Sequence, residues 1–146
     1  MQITVKGFGR GDKIPKKFTC DAGDISPEIL IDEVPADTKS LALILDDPDA
    51  PSGLFTHWIV YNLPPNAKII PEGAGNKKEI NQGINDFGTH GYRGPCPPPG
   101  KPHRYYFTLY ALNAKISGAI GNRAGINSAI EGKIIGKAEF MGTYGR

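Results

Sequence analysis

The apolar residues of this chain come in short runs separated by glycine, proline and acidic residues, a pattern typical of strands joined by turns. The most apolar run, residues 41–45, has no polar member and ends abruptly in three carboxylates and two prolines. We therefore predict a buried strand that leaves its sheet at Pro48 or Pro51, because proline cannot donate to a sheet ladder.

Other stretches alternate between apolar and polar residues, so that every second side chain shares a face. In one stretch His103 and Tyr105 share a face, and in another His57 shares a face with Ile59, opposite Trp58. Further strands are predicted over residues 2–6, 28–34, 56–63, 103–112 and 137–144, with a weaker candidate over 16–20.

One helix is predicted, over residues 122–132, where apolar residues recur at helical spacing between a capping Asn122 and a terminating Gly132. Residues 67–90 are polar and glycine-rich, which favours a loop with at most short strands. Residues 91–100 contain four prolines and are predicted to form a rigid, extended wall. Together these elements predict a mainly all-β fold, a Greek-key β-sandwich of two antiparallel sheets with one or two short helices.

The composition narrows the class of protein. A chain of 146 residues is long enough to bury a core without staples, so we expect a single domain over 1–146. The net charge of +2 is too small to indicate a nucleic-acid partner. The first eight residues lack the apolar core of a signal peptide, and no run approaches the roughly 18 apolar residues of a membrane span. We therefore expect a cytoplasmic protein without integral membrane association.

Two cysteines, Cys20 and Cys96, are too few to define a disulfide framework. Reduced thiols are the expectation in the cytoplasm. Both residues lie in predicted loops that could meet, so a Cys20–Cys96 bridge is the alternative.

Candidate chemistry gathers at the end of one predicted strand and at the beginnings of two others. Asp47 and Asp49 follow the buried strand, while His57 and His103 each begin a strand and Tyr105 shares the face of His103. Carboxylates beside imidazoles favour the charged imidazolium. Charged imidazoles and a phenol are hydrogen-bond donors, so this set suits a small anion such as phosphate, acetate or a phosphomonoester.

A hydrolase using Asp and two His, with or without a metal, is the competing class. No local histidine spacing supports a metal site, and Ser52 lacks the sequence of a nucleophile elbow. We therefore favour a non-enzymatic binding module without metal or cofactor.

Most of these residues also have a purely structural interpretation. Asp46 and Asp49 could only shape the turn, and His57 could be a core histidine with satisfied hydrogen bonds. His90 lies in a glycine-rich loop, which favours a solvated side chain, and Cys96 is more typical of a small packed residue than of a nucleophile.

Four sequence blocks resemble one family. The sequence resembles the phosphatidylethanolamine-binding protein family, specifically the bacterial and archaeal branch often labelled Raf-kinase-inhibitor-like. The matching blocks are Asp24-Ile25-Ser26-Pro27, residues 40–63 with Asp46-Asp47-Pro48-Asp49-Ala50-Pro51 and His57-Trp58, residues 91–105 with Gly94-Pro95-Cys96-Pro97-Pro98 and His103-Arg104-Tyr105, and residues 138–144.

This resemblance implies a β-sandwich whose ligand pocket is built from the two central blocks. It implies binding of a small anion or phosphate head group and, in various members, inhibition of a protein kinase or a protease. An exposed sheet could also pair two copies as a homodimer. Carried over by position, the ligand-binding residues are Asp47, Asp49, His57, Cys96, Pro97, Pro98, His103 and Tyr105.

Three positions depart from the pattern of the branch. Ile31 stands where Trp is usual, and Lys133 replaces a common His after the helix. Arg93 replaces a common Gly beside the proline-rich segment. Its side chain could strengthen anion binding or point into solvent.

Overall fold

The protein is described by a computed structural model that covers all 146 residues. It is mostly β, as the alternating pattern predicts, with one α-helix and two short 3-10 helices at Lys16–Phe18 and Ala74–Asn76. The regular elements are β1 (Gln2–Val5), β2 (Ile29–Asp32), β3 (Ser40–Asp47), β4 (Phe55–Leu63), β5 (Ile69–Ile70), β6 (His103–Leu112), α1 (Arg123–Ile130) and β7 (Ile134–Tyr144).

The strands form two antiparallel sheets. One has the order β1-β2-β5 and the other the order β4-β3-β6-β7. A cluster of 21 buried apolar residues joins the facing surfaces of the two sheets. A second cluster of nine lies on the outer face of the four-stranded sheet, where α1 covers it. The predicted β-sandwich is confirmed, and β3 lies inside the larger sheet with neighbours on both sides.

The helix matches its sequence signals. Asn122 caps it, since its side chain accepts a hydrogen bond from the Gly125 amide at 3.1 Å. Ile126 and Ile130 are buried against the sheet. Gly132 follows with a φ of +74°, a conformation that glycine adopts at no steric cost. None of the helices has the length and apolar character needed to cross a membrane.

The weak strand candidate over residues 16–20 is wrong. Lys16–Phe18 forms a turn of 3-10 helix, in which the amides of Phe18 and Thr19 donate back to the carbonyls of Pro15 and Lys16. Pro15 precedes this turn with φ fixed near −60°, a value that is compatible with the start of a helical turn. The sequence pattern alone did not indicate this.

The expectation of reduced thiols is also wrong, because Cys20 and Cys96 form a disulfide with a Cα–Cα distance of 5.4 Å. Seventy-six positions separate them in the sequence. The Cys20 amide donates to the carbonyl of Pro95 at 3.2 Å, which lays the two loops side by side. This long-range contact, invisible in the sequence, brings the two sulfurs together.

One predicted side-chain orientation differs in β4. Leu45 pairs with Trp58 but Asp46 pairs with Thr56, so His57 is an extra residue without a partner across the strand. Such a β-bulge breaks the alternation of faces. The ring of His57 therefore packs on Tyr105, in the core between the sheets, rather than sharing a face with Ile59.

Candidate functional site

The acidic end of β3 supplies the first side chains of the site. Asp47 is buried, and its Oδ2 lies 2.6 Å from Nδ1 of His103, the first residue of β6. Its Oδ1 accepts a hydrogen bond from the amide of Asp49 at 2.7 Å, which closes the turn after the strand. Asp47 therefore fixes both the turn and the ring of His103, whose Nδ1–H points at the carboxylate.

His57 is held by the proline-rich segment rather than by a carboxylate. Its Nδ1 lies 2.7 Å from the carbonyl oxygen of Arg93. A carbonyl oxygen can only accept, so Nδ1 carries the hydrogen and donates it. In the neutral ring this leaves Nε2 with a free lone pair, and Nε2 makes no hydrogen bond within the protein.

Burial lowers the pKa of His57 below its usual value. The bond to the Arg93 carbonyl and the charges of Asp47 and Asp46 oppose this effect without overcoming it. The expectation that carboxylates keep the imidazoles charged is therefore wrong for His57, because the loss of hydration outweighs the attraction. His57 is a neutral imidazole at pH 7.

Tyr105 contributes a phenol that has no partner. The residue is completely buried, and its hydroxyl is one of only two buried side-chain polar atoms in the chain without a hydrogen bond. Burial first, and then the charge and the acceptor oxygens of the nearby Asp47 carboxylate, raise the pKa of this phenol well above its usual value, although no hydrogen bond of good geometry joins the two groups. Tyr105 therefore remains protonated and is available as a donor. An unpaired buried donor costs about 1–3 kcal/mol, so a partner is expected.

These side chains line one cavity of about 240 Å³. Seven of the eight residues predicted for the site take part, and five further residues complete the wall. The predicted members are Asp47, His57, Cys96, Pro97, Pro98, His103 and Tyr105, and the additional ones are Ala50, Pro51, Ser52, Phe55 and Phe87. We call this cavity the pocket.

Asp49, the eighth predicted residue, does not line the pocket. Its carboxylate makes a two-pronged ion pair with the Arg104 guanidinium at 2.8 and 2.9 Å and also accepts from the Arg104 amide. These bonds from Arg104 lower the pKa of Asp49 to about 2. Asp49 therefore anchors the turn to β6, which corresponds to the structural interpretation of this residue.

Two aromatic residues of the pocket were not predicted. Phe55 and Phe87 pack edge to face with their ring centroids 4.8 Å apart, and both contact the ring of His57. Phe87 remains 39% exposed at the mouth of the pocket. Phe87 is the only phenylalanine, tyrosine or tryptophan in segment 67–90, and that was the signal that could have identified it.

Asp24, in the first of the matching sequence blocks, fixes the position of the proline wall, residues 91–100. Asp24 accepts a hydrogen bond from the Gly94 amide at 2.8 Å, and a Cβ at Gly94 would collide with the carbonyl of Phe18. The disulfide ties Cys96 to the same region. Asp24, Gly94 and Cys96 therefore act together to position the proline wall.

Arg93, one of the departures from the family pattern, lies at the edge of the pocket. Its guanidinium carbon lies 4.8 Å from the centre of the Phe87 ring, and its Nε is 3.6 Å from Asp24. The side chain thus packs over the aromatic residue at the pocket mouth instead of extending freely into solvent.

A second, larger groove of about 620 Å³ lies beside Arg93. Lys77, Lys78, Arg93 and the exposed His90 contribute to its lining. The groove is open, and no buried polar atom is left without a hydrogen bond there. No group of three or more histidine, cysteine, aspartate or glutamate side chains in the chain is arranged to hold a metal ion.

A sandwich of two antiparallel sheets with one pocket at the end of an interior strand places the protein in the class of mainly β sandwich domains. A sequence profile described as phosphatidylethanolamine-binding protein matches residues 4–145. The chain belongs to the phosphatidylethanolamine-binding protein family, as its sequence blocks predict.

The relatives extend over bacteria and archaea. A UPF0098 protein of Aquifex aeolicus is 44% identical, and the match covers 100% of this chain and 89% of the relative. A UPF0098 protein of Archaeoglobus fulgidus is 47% identical over 99% of this chain, which spans 51% of that longer relative.

Two crystal structures show the same fold. The phosphatidylethanolamine-binding protein homolog CT736 of Chlamydia trachomatis superposes with a TM-score of 0.91 at 43% identity, covering 99% of this chain and 97% of that one. YbcL of E. coli, described as a new member of the mammalian family, has a TM-score of 0.92 at 32% identity, covering 99% and 98%.

Proposed function

We propose that this protein binds a small anion, a phosphate or a phosphoryl head group, in the pocket without chemically changing it, and that the bound ligand modulates a protein partner. The observation that carries the proposal is the fully buried hydroxyl of Tyr105, which lines the pocket and has no partner. An anionic oxygen is a strong acceptor for such a donor.

The surroundings of the hydroxyl agree with a ligand of this size. His57 and His103 each present a ring whose Nε2 is unpaired, and the proline wall adds shape without competing N–H groups. A volume of about 240 Å³ accommodates a phosphoryl group with a short substituent. Ser52 lies on the exposed turn and makes no hydrogen bond to a histidine, which supports binding over acyl transfer.

Phosphorus NMR with O-phosphorylethanolamine tests the proposal, with and without added zinc. A shifted or broadened but intact phosphate signal is expected. A growing signal of free phosphate that disappears in His57→Ala would show hydrolysis and contradict the proposal.

A matched pair of variants on one strand tests the role of the donor. Tyr105→Phe removes the pocket hydroxyl and is expected to weaken phosphate binding at least about tenfold, since a hydrogen bond to a charged group contributes roughly 1.5–3 kcal/mol. Tyr110→Phe makes the same change on the outer face of β6 and should leave the affinity unchanged. Equal affinities of the two variants in calorimetry would remove Tyr105 from the site.

Direct inhibition of a protease or a kinase is the second candidate. It is favoured by two apolar side chains on the loops around the pocket, Leu54 with 55% and Phe87 with 39% of its surface exposed. Exposed apolar side chains near a cavity are common at protein interfaces. If this candidate holds, inhibition of a target enzyme should disappear in Leu54→Ser/Phe87→Ser while phosphate binding persists.

A further inference from the structure

The pocket offers a ligand two unlike hydrogen-bonding groups. The Tyr105 hydroxyl lies near the Asp47 carboxylate, but the geometry forms no hydrogen bond between them, so the hydroxyl can donate to a ligand oxygen. The ring of His57 already uses its Nδ1–H on the Arg93 carbonyl, so its free Nε2 can only accept while the ring is neutral. A ligand that satisfies both must present an acceptor and a donor together.

The groups around His57 maintain this asymmetry. From β3, Asp47 and Asp46 act on the ring through their charges, and from β6 the rings of Tyr105 and His103 face the same cavity. The two carboxylates are already engaged, Asp47 by His103 and Asp46 by hydrogen bonds on the outer face of the sheet.

The remaining neighbours of His57 come from the loops. Phe55 and Phe87 pack on the ring, and the Arg93 guanidinium packs over Phe87. Asp86 is engaged by the Thr56 amide. The immediate contacts of the ring are thus aromatic, and burial among them favours the neutral form.

We propose that the pocket selects a phosphoryl group in its singly protonated form, whose P–O–H donates to Nε2 of His57 while an anionic oxygen accepts from Tyr105. This inference rests on the proposed anion binding and specifies the form of the anion. Sulfate monoesters have nearly the same shape and also carry a single charge, but they have no proton to donate. The pocket therefore discriminates between phosphate and sulfate esters.

A pH dependence follows from the chemistry of the ligand. The second pKa of a phosphate monoester is about 6, so the singly protonated form becomes scarce above that pH. Affinity for the ester is therefore expected to fall by about tenfold for each pH unit well above the ligand's pKa. The pKa that sets this decline is that of the ligand. The affinity for a ligand with a higher second pKa should therefore begin to fall at a higher pH.

Three small ligands separate these effects in NMR titrations between pH 6 and 9: methyl phosphate, methylphosphonate and methyl sulfate. At pH 6, where about half of the ester is still singly protonated, we expect methyl phosphate to bind at least about tenfold more tightly than methyl sulfate. The affinity of methylphosphonate, which loses its second proton at higher pH, should begin to fall at higher pH than that of methyl phosphate. The affinity of methyl sulfate should be independent of pH.

Two other results would overturn the inference. Equal affinity for phosphate and sulfate esters would mean that the ligand proton is not recognised. A decline of all three ligands at one common pH would mean that a group of the protein, and not the ligand, sets the pH dependence. In either case anion binding itself would stand. Absence of binding by all three ligands would overturn the proposed function together with the inference.

Variants provide an independent readout. His57→Gln replaces the acceptor by an amide that can also donate, so sulfate binding should improve and the ratio of the two affinities should approach one. His90→Gln changes an exposed histidine outside the pocket and should leave the ratio unchanged. Tyr105→Phe should weaken both ligands by a similar factor. An unchanged ratio in a folded His57→Gln, checked by thermal melting, would contradict the inference.

Discussion

Asp46 and Asp47 are neighbours at the end of β3, but they serve opposite faces of the sheet in different ways. On the outer face, Asp46 accepts hydrogen bonds from Thr56 at 2.7 Å and from the Arg123 guanidinium at 2.9 Å. On the inner face, Asp47 faces His103 and the pocket. The outer carboxylate thus has an arginine as its partner, while the inner one has a histidine ring that lines the pocket.

The comparison of Asp46 and Asp47 shows how a strand end with a purely structural role differs from one that forms a candidate site. The outer cluster is closed, since Asp46 fixes the first residue of α1 to the sheet and no buried polar atom is left over. The inner cluster leaves the Tyr105 hydroxyl without a partner. Cavity size does not make this distinction, because the larger groove contains no such atom.

The largest expected effect comes from removing the disulfide that holds the proline wall of the pocket. Removing the Cys20–Cys96 bridge in Cys20→Ser/Cys96→Ser should lower the free energy of unfolding by about 4 kcal/mol, since the bridge closes a loop of 76 positions. Chemical denaturation measures the loss. Reduction of the wild-type protein should reproduce it, because the chain has no free cysteine that could otherwise respond. Unchanged stability after verified reduction would show that packing alone holds the wall.

The second largest effect comes from removing the ion pair on the outer face of the four-stranded sheet. Arg123→Ala leaves Asp46 partly buried without its cation and should cost about 2–3 kcal/mol, less than the roughly 3–5 of a fully buried pair. Phosphate affinity should remain within about twofold, because α1 does not line the pocket. A parallel loss of affinity would show that the two faces are coupled through β3.

The third effect falls on ligand binding at the inner face. His103→Ala should weaken phosphate binding by well over tenfold, since a hydrogen bond to a charged group contributes roughly 1.5–3 kcal/mol. Calorimetry with inorganic phosphate measures the change, and thermal melting verifies the fold. Affinity equal to that of the wild type would remove His103 from the site and leave its bond to Asp47 as a structural contact.

The smallest effect is the pH dependence that His57 gives to stability. Because burial lowers its pKa in the folded state, the unfolded chain binds the proton more readily. The contribution of His57 to stability is therefore complete above about pH 6.5 and is lost as the pH falls through the folded-state pKa. His57→Gln should reduce the slope of unfolding free energy against pH below 6.5, whereas His90→Gln should retain it. Equal slopes would contradict the buried neutral ring.

Much of the fold follows from local pattern. The strand over 103–112 has the predicted bounds, and the strand over 56–63 differs by one residue, because a run of apolar and aromatic residues bounded by turn residues is a local signal. The helix is equally local, with its cap and terminating glycine adjacent in sequence. The errors arise where distant segments decide, as in the Cys20–Cys96 bridge and the bulge at His57.

The candidate site was predictable to a similar extent. Residue chemistry and family resemblance identified the carboxylate, both imidazoles and the phenol that line the pocket. They did not identify Phe87, whose loop reaches the pocket through backbone bonds such as Asp86 N to Thr56 O. They also assigned His57 the wrong charge, because the degree of burial that decides it is a property of the packed structure.

The position of β3 between two neighbours has a consequence for how the site opens. Amides of a strand paired on both sides exchange with solvent mainly when the whole domain unfolds, whereas exposed loops exchange through small local openings. The part of β3 that leads to Asp47, paired on both sides up to Asp46, therefore belongs to the slowest-exchanging part of the protein, and the segment around Phe87 to a faster part. If a ligand binds as we propose, local openings at the mouth of the pocket would let it enter and leave while β3 remains paired.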